Sequence, residues 1–412
     1  MARLFLICGL WAISAAGQSS VAELDRVARQ KLAARDAQGA LAAYQELAKL
    51  EPKSAGYQDE VGFLLAATNR TTEAIPYLRR ATELDPKMAV AWYHLGSALG
   101  ILHDNQAAVN ALRKAVELTP ANADYRYRLG LAYMNAANYA GAAQELAKAA
   151  RVLPSNATVW EALGDAWQRQ SRYAEARDAL RHAVALDPKN DEVRNNYGNA
   201  LVRSGDPAAG LKEFQRILEH DPHNVRAQVN VGSAYIGTGD FQAAIKQLAG
   251  LTRDHPDNAG AHYDLGIAYK SVDDLPHAEA ELARAVELEP SLTEAHYSLA
   301  LTYIDAGAPD KAIEQFRAAV AQRPSYMEAW YLLGTTLKQQ GDTDGAIDAL
   351  RHAVKLDDEN AAAWNNLGLL LRRKGDKAGS DDAFAKAAAV RKKEELAKEK
   401  RLERGMKKQA SK

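Results

Sequence analysis

Several residue types are scarce in this chain of 412 residues. It contains one cysteine, Cys8, 13 prolines and 27 glycines, and its 52 Lys and Arg nearly balance its 53 Asp and Glu. A single cysteine excludes intrachain disulfides and cysteine-based metal centres. The balanced charge argues against a dedicated nucleic-acid binder, which carries a basic surplus, and against a disordered acidic protein. No apolar run reaches the roughly 20 residues that a bilayer-spanning helix needs.

Alanine, by contrast, is abundant: the chain has 82 alanines, about one residue in five. Alanine is the best helix former, and β-branched residues are few. The composition therefore predicts an all-α protein and argues against a fold dominated by β-sheet. Length alone suggests about two or three globular domains.

Residues 1–17, MARLFLICGLWAISAAG, have the pattern of a Sec-type signal peptide. Arg3 supplies the charge, an apolar run follows from Leu4 to Ile13, and small residues up to Gly17 offer a cleavage site. We therefore expect export, to the periplasm or as a secreted protein of a bacterial envelope, and a mature chain without cysteine. The alternatives are an uncleaved membrane anchor and a start site placed too far upstream.

Three residue series recur with a period of 34. The glycine position is occupied at Gly62, Gly96, Gly130, Gly164, Gly198, Gly232, Gly266, Gly334 and Gly368, with Ala300 in the remaining step. The proline position runs from Pro52 to Pro324 in steps of 34, and the alanine position follows each glycine position by twelve residues, as in Ala74 and Ala108. A fixed period of this kind predicts a repeat architecture.

Each repeat has the pattern of two helices. In residues 89–122, Trp92, Leu95, Gly96 and Leu99 are spaced i, i+3, i+4, i+7 and so share one helical face. A second stretch with the same periodicity follows a polar turn at residues 103–105, and the proline ends the unit, because proline cannot continue a helix interior. Small residues at the glycine and alanine positions would let the two helices approach closely.

The chain resembles the tetratricopeptide repeat family, whose pattern of Trp, Leu-Gly, a large residue, Ala and Pro is present as Trp92-Leu95-Gly96-Leu99 and Trp330-Leu333-Gly334-Leu337. The resemblance covers residues 21–394. It implies one right-handed α-solenoid of about eleven 34-residue helix–turn–helix repeats, whose first helices line a concave groove. The units start at 21, 55, 89, 123, 157, 191, 225, 259, 293, 327 and 361. The first and last are atypical, as expected of terminal repeats, with Ala28 at the glycine position and Asp358 at the proline position.

By the same resemblance, groove-facing residues lie on the first helices beside the packing positions. Tyrosines recur three residues before the glycine position, and polar residues recur one and five residues after it. Asn195, Asn199 and Arg203 are spaced i, i+4, i+8 and form a polar line along one helix. The candidate partner-binding residues are Tyr93, Tyr127, Asp165, Arg169, Asn195, Asn199, Arg203, Asn230, Tyr263, Tyr297, Tyr331, Asn365 and Arg372.

Two interpretations of these residues stay open. They form a peptide groove, in which Asn grips backbone amides, Arg pairs with carboxylates and Tyr supplies flat contact area. Alternatively, they are solvated polar residues and half-buried tyrosines that pack between repeats. The row Tyr263, Tyr297 and Tyr331 would also suit stacking on a glycan. The two-Lys, two-Asn carboxylate clamp of some family members is not evident.

Catalytic motifs are absent: the sequence has no HExxH, GxSxG or GxxxxGK[ST]. We therefore predict neither enzymatic activity nor a cofactor. His262 and His296 occupy the tryptophan position, four residues before the glycine position, and are interpreted as interior residues. His220 and His223 lack an evident third ligand, so no metal site is predicted.

The C-terminal tail, residues 391–412, has ten Lys and Arg against four Glu. Glu394 and Lys398 form an i, i+4 pair that favours a helix. The tail is interpreted as a solvating helical extension. The alternative is an electrostatic contact with an acidic partner, nucleic acid or an anionic lipid surface. Its few apolar residues argue against stable membrane insertion.

The function predicted first is a non-enzymatic, exported scaffold that binds proteins or peptides in the groove. The alternative is an accessory subunit of an envelope-assembly, secretion or polysaccharide-processing complex that recognises glycan or secreted chains. Nucleic acid is not expected as a partner. One local departure is also predicted: Gly210, Ile217 and Leu251 replace alanines in phased positions, so packing should differ around residues 205–255.

Overall fold

The computed structural model describes residues 20–410, with residues 401–410 described by their backbone alone. The predicted signal peptide lies outside these residues. Throughout the described range the secondary structure is helical, which confirms the all-α prediction. The helices are α1 (20–33), α2 (Ala37–Leu50), α3 (Ala55–Ala67), α4 (Thr71–Leu84), α5 (Ala89–Ile101), α6 (Asn105–Leu118), α7 (Ala123–Asn135), α8 (Tyr139–Val152), α9 (Ala157–Gln168), α10 (Tyr173–Leu186), α11 (Asp191–Arg203), α12 (Pro207–His220), α13 (Val225–Thr238), α14 (Phe241–Asp254), α15 (Ala259–Ser271), α16 (Leu275–Leu288), α17 (Thr293–Asp305), α18 (Pro309–Gln322), α19 (Met327–Gln340), α20 (Thr343–Leu356), α21 (Ala361–Arg373) and α22 (Lys377–Ala410).

First and second helices alternate along the chain, as the repeat pattern and the α-solenoid assignment require. The helices group into two compact units, one ending at Asp206 and containing α1–α11, the other beginning at Pro207 and containing α12–α22. Within each unit a first helix packs on the second helix of its own repeat, and each second helix packs on the next first helix.

The starts of the helices follow from local hydrogen bonding. Asn or Asp precedes most of them, and its side chain accepts a backbone N–H of the first turn, as Asn122 does from Tyr125 at 3.0 Å and Asp240 does from Ala243 at 3.1 Å. Such caps satisfy amide groups that have no partner within the helix. These residues therefore fix where the helices that they cap begin.

The glycine position is where the two helices of a repeat cross. A Cβ atom placed on Gly62, Gly130 or Gly266 would lie 2.5–2.6 Å from Cγ of a leucine on the second helix. The same contact recurs at Gly96, Gly164, Gly232 and Gly334, and at Gly368 a phenylalanine ring takes the place of the leucine. Glycine is therefore needed for close approach of the helices, as the sequence pattern predicted.

The tryptophan position carries a second repeated interaction. Its side chain donates an N–H to the backbone carbonyl six residues earlier, which belongs to the proline position, over distances of 2.7–3.2 Å. The donors are Trp92, Arg126, Trp160, Arg194, Gln228, His262, His296, Trp330 and Trp364. His262 and His296 are buried, as predicted, and they also act as donors. What is shared along this position is an N–H group, not an aromatic ring.

Packing departs from the regular pattern at α13, inside the segment where the sequence predicted a change. This helix packs less extensively on α14 than most first helices do on their second helices, and more extensively on α15. Ile217 and Leu251, which replace alanine in the second helices of this region, are both buried. The prediction of altered packing around residues 205–255 is confirmed for α13.

The last helix, α22, continues without interruption from the final repeat into the basic tail as far as Ala410. Its side chains from residue 391 to 400 are exposed. Lys393 forms an ion pair with Glu359, in the turn between α20 and α21. No helix within residues 20–410 is both long and apolar enough to cross a membrane.

The glycine contact predicts opposite effects of one substitution at two positions of the second unit. Gly266→Ala places a methyl group 2.6 Å from Leu282 Cγ and should lower the free energy of unfolding by about 1–3 kcal/mol. Gly250→Ala, inside α14 with no atom within 4 Å of the new methyl group, should raise it by up to about 1 kcal/mol. Urea unfolding of both variants measures the difference. Equal effects at the two positions would contradict the packing argument.

Candidate functional site

The first helices of the N-terminal unit line an open cavity of about 440 Å³. Small residues of α5, Ser97 and Gly100, are part of its lining, and apolar side chains from α3 and α5 form its walls. Among these, Phe63 is 40% exposed and Ile101 is 60% exposed. Exposed large apolar side chains beside a concave surface are typical of a binding site.

The polar corner of this cavity is built around His94. Its Nδ1 lies 2.9 Å and 3.0 Å from the two carboxylate oxygens of buried Asp59, and the ring of Phe63 stacks on its imidazole at 4.7 Å. This pairing holds the imidazole in place and sets Nδ1 as the nitrogen that faces the carboxylate. Burial, and secondarily the carboxylate of Asp59, raise the pKa of neighbouring Glu60.

Ser97 adds an unused hydrogen-bonding group to the cavity. Its hydroxyl oxygen is shielded from solvent and has no hydrogen-bond partner among the described residues. On the opposite side, Arg128 and Asn135 of α7 complete the lining. The cavity thus combines apolar walls with a few polar groups, an arrangement that suits an apolar side chain carried on a hydrogen-bonding backbone.

The predicted tyrosines are distributed differently between the two units. Tyr93 lines the cavity and stacks on Tyr125 at 4.7 Å. Tyr127 is half-buried against the core of the next repeat. In the C-terminal unit, Tyr263, Tyr297 and Tyr331 are half-buried and pack against the hydrophobic core.

Two of these tyrosines make defined contacts with neighbouring helices. Tyr297 lies 4.9 Å from the ring of Tyr326 and 6.0 Å from that of Phe316, and burial raises its pKa. Burial also raises the pKa of Tyr263, whose hydroxyl hydrogen-bonds with Ser298. These contacts match the interpretation in which the tyrosines pack between repeats.

The three residues of the predicted polar line on α11 differ in their surroundings. Asn195 is 3% exposed, whereas Asn199 is half-buried. The guanidinium of Arg203 donates to the hydroxyl of Tyr173 at 2.8 Å and lies 4.8 Å from the centre of its ring. Arg203 is thus engaged with α10. Asn230, in the other unit, is half-buried.

The remaining predicted residues occupy two places. In the N-terminal unit, Arg169 contacts Asp165 at 3.4 Å on the surface of α9. In the C-terminal unit, the guanidinium of Arg372 lies 5.2 Å from the ring centre of Phe384, on the second helix of its own repeat. Asn365 lines an open depression of about 540 Å³ together with residues that include Arg391 at the start of the tail.

A carboxylate in the C-terminal unit has an unusual environment. Asp264 of α15 is largely enclosed, accepts a hydrogen bond from Ser233 of α13, and has its pKa raised to about 6 by burial. The bond joins the two first helices that approach each other more extensively than their counterparts. Within residues 20–410, no group of three His, Cys, Asp or Glu side chains could hold a metal ion.

The sequence pattern missed most of the cavity. Phe63 is one residue after its glycine position, and Ile101 and Asn135 are five residues after theirs, so they occupy positions already identified as facing the groove. The residues that we predicted at these positions are polar, whereas Phe63 and Ile101 are apolar. A search for large apolar residues at the same positions would have found them.

Comparison with protein families identifies the repeat. A profile described as a tetratricopeptide repeat matches residues 28–89, 232–292, 263–327, 297–358 and 331–394, and one described as a TPR repeat matches residues 103–136. The profile of the TPR domain of cytochrome c-type biogenesis protein H matches residues 151–254. No curated protein matches the chain.

Several solved structures are similar to this chain. The human IFIT1 dimer with PPP-AAAA is 18% identical, with a TM-score of 0.46, over 82% of this chain and 91% of that one. MamA is 25% identical, with a TM-score of 0.38, over 40% of this chain and 97% of that one. The APC/C hetero-tetramer Cut9-Hcn1 is 15% identical, with a TM-score of 0.41, over 89% of this chain and 86% of that one. With TM-scores below 0.5, these similarities carry no information about partners.

The environment of Asp264 predicts a pH-dependent contribution to stability. The folded state holds the Asp264 proton up to about pH 6, whereas the unfolded chain loses it near pH 4, so stability from this group falls as the pH rises between those values. Asp264→Asn removes the titrating carboxyl group and with it this loss of stability. The substitution should therefore raise the free energy of unfolding by about 2 kcal/mol more at pH 7.5 than at pH 4.5. Urea unfolding at both pH values measures this difference.

The matched control is Asp348→Asn, at a carboxylate that is 77% exposed in the same unit. Its effect on the free energy of unfolding should change little between the two pH values. If Asp264→Asn gave the same change in stability at pH 4.5 and pH 7.5, the burial argument would be wrong.

Proposed function

The chain belongs to the tetratricopeptide repeat family, and from that premise we propose that it binds partner polypeptides in the cavity lined by α3, α5 and α7. Its repeats make it a protein-interaction scaffold. The observation that carries the choice of site is the cavity of about 440 Å³, with Phe63 and Ile101 exposed beside it. An apolar side chain of the partner would fill this space and remove both residues from water.

Several features support a peptide as the occupant. Apolar walls bind side chains with little regard to sequence, while the exposed side chains of Arg128 and Asn135 offer hydrogen-bonding groups to the backbone of the partner. The predicted polar residues on α9 and α11 become secondary contacts in this proposal, since Arg203 is engaged with Tyr173 and Asn195 is buried. We assign no catalytic role to His94, whose Nδ1 is held by the buried carboxylate of Asp59.

The location belongs to the same proposal. Residues 1–17 have a signal-peptide pattern, and we infer that the scaffold acts after export, in a bacterial envelope. The match of residues 151–254 to the TPR domain of a cytochrome c-type biogenesis protein supports a place in an assembly process.

The alternative is an accessory subunit of an envelope-assembly, secretion or polysaccharide-processing complex that recognises secreted chains or glycan. The match of residues 151–254 to the TPR domain of a cytochrome c-type biogenesis protein also favours a role as a subunit of an assembly complex. A glycan-stacking surface on Tyr263, Tyr297 and Tyr331 is less well supported, because these rings already pack against the core. A scaffold that binds peptides therefore has stronger support than one that binds glycan.

The cavity proposal predicts different outcomes for two neighbouring substitutions. Ile101→Glu places a charge beside the apolar walls and should reduce recovery of partners at least about tenfold, because the charge opposes desolvation. Leu102→Glu changes a side chain that is 40% exposed but does not line the cavity, so recovery should be unchanged. Affinity capture from the native source, with mass spectrometry, measures both.

Circular dichroism checks that both variants keep the helical content of the unmodified chain. Equal recovery with Ile101→Glu and the unmodified chain would contradict binding in this cavity. An equal loss with the two variants would point to a general effect of charge at the end of α5.

A further inference from the structure

A second open pocket lies in the N-terminal unit, between the second helices α4 and α6. Its volume is about 390 Å³, and Trp92, Leu95 and Leu99 of α5 form its floor, since α5 packs on both of these helices. The residues of α5 that line the cavity are different ones, such as Ser97 and Gly100, and they lie on another face of the helix. We call this second site the α4–α6 pocket.

Four repeats have a tryptophan at the tryptophan position, and in three of them another side chain lies over the indole ring. This side chain belongs to the second helix, 22 residues after the tryptophan. The pairs are His182 on Trp160, with ring centres 4.5 Å apart, His352 on Trp330 at 4.3 Å, and Lys386 on Trp364, with Nζ 4.6 Å from the ring centre. In the fourth repeat the corresponding residue, Lys114, pairs instead with Glu117 at 3.2 Å. Among the described residues, no aromatic ring or cation lies over Trp92, and its ring lines the pocket.

The same three repeats contain an aspartate that the fourth lacks. It stands 18 residues after the tryptophan and is paired with a basic side chain each time: Asp178 with Arg177 at 3.1 Å, Asp348 with Arg351 at 3.8 Å and Asp382 with Lys386 at 2.8 Å. The α4–α6 pocket has Asn110 at this position. The pocket therefore lacks both the group over the ring and the carboxylate that the other tryptophan repeats supply from their own chain.

The rim of the α4–α6 pocket carries positive charge. Arg79 of α4 and Lys114 of α6 line it, and none of the described residues that line it is acidic. The guanidinium of Arg79 is exposed and forms no ion pair or hydrogen bond within residues 20–400. An apolar floor with an unpaired cation at its edge suits an apolar group that has a carboxylate beside it.

We propose that the α4–α6 pocket binds an acidic polypeptide segment in which an aromatic residue stands next to an aspartate or glutamate. The aromatic ring lies on Trp92, where an imidazole lies in two other repeats. The carboxylate pairs with Arg79 and replaces the aspartate that is absent at Asn110. The site shares no lining residue with the cavity, so this inference goes beyond the proposed function and does not depend on it.

Charge selects among the possible occupants. A basic segment is repelled by the two cations of the rim. Single-stranded nucleic acid fits less well, because it needs a groove of positive charge along its backbone. On α4 and α6 the basic residues alternate with Glu83 and Glu117, which already form ion pairs with Arg80 and Lys114.

The test is selection of a random twelve-residue peptide library, displayed on phage, against the purified chain. The library is first depleted on the variant Asn110→Asp, which supplies its own carboxylate as the other three tryptophan repeats do. The peptides that remain should share an aromatic residue beside Asp or Glu. In synthetic copies, replacement of either residue by alanine should weaken binding about fivefold, as fluorescence anisotropy measures.

Matched variants locate the contact. Arg79→Glu should weaken binding of the selected peptides at least about tenfold, because it reverses the charge that faces their carboxylate. Arg80→Glu makes the same change at the neighbouring exposed residue, which does not line the pocket, and should leave binding within about twofold. Gln106→Glu, one turn before Asn110 on α6 and outside the pocket, is the corresponding control for Asn110→Asp. Ile101→Glu, in the cavity, should bind the selected peptides as the unmodified chain does.

Several outcomes would overturn the inference. They are enrichment of basic peptides, failure to enrich any peptide after the depletion step, and selected peptides that bind Arg79→Glu as well as the unmodified chain. An equal loss with Arg79→Glu and Arg80→Glu would also overturn it, as an effect of net charge. Binding of a random twelve-nucleotide DNA strand that Arg79→Glu abolishes would assign the pocket to nucleic acid. None of these results bears on the cavity, which is tested by Ile101→Glu.

Discussion

The close crossing of two helices at the glycine position is the contact on which the rest of each unit depends. Where Gly130 meets Leu146, a methyl group in place of hydrogen would overlap the leucine side chain. The short distance lets the side chains of both helices close a core that consists mostly of alanine and leucine. It also fixes which face of the first helix is covered, and so which face remains for partners.

The hydrogen bond from the tryptophan position complements this crossing. It ties the start of a first helix to the carbonyl at the proline position, which lies in the turn beyond the end of the previous helix and so has no helical partner. Trp92, Arg126, Gln228 and His296 differ in shape and charge, yet each offers an N–H at this point. The tryptophan position is therefore explained by the need for a hydrogen-bond donor, which a purely hydrophobic pattern does not describe.

The groove-facing side of the first helices is where the repeats differ in the chemistry of their side chains. Small residues in α5, beside Phe63 and Ile101, create an apolar cavity, whereas carboxylates occupy the corresponding positions of α9. In the C-terminal unit, the same face carries tyrosines that pack inward and the enclosed pair of Ser233 and Asp264. One scaffold geometry therefore supports apolar, acidic and closed surfaces along its length.

The sequence by itself determined the helical repeat, its glycine crossings and the disturbed packing near Ile217 and Leu251, because these features depend on local periodicity and side-chain size. It also identified the positions that face outward. Only the tertiary structure decided which of those residues are available. Arg203 turns to Tyr173, Tyr297 packs on Tyr326, and Phe63 and Ile101 stay exposed beside a cavity. The physical reason is that exposure depends on side chains about 30 residues away, whose size and hydrogen-bonding groups vary from repeat to repeat while the period does not.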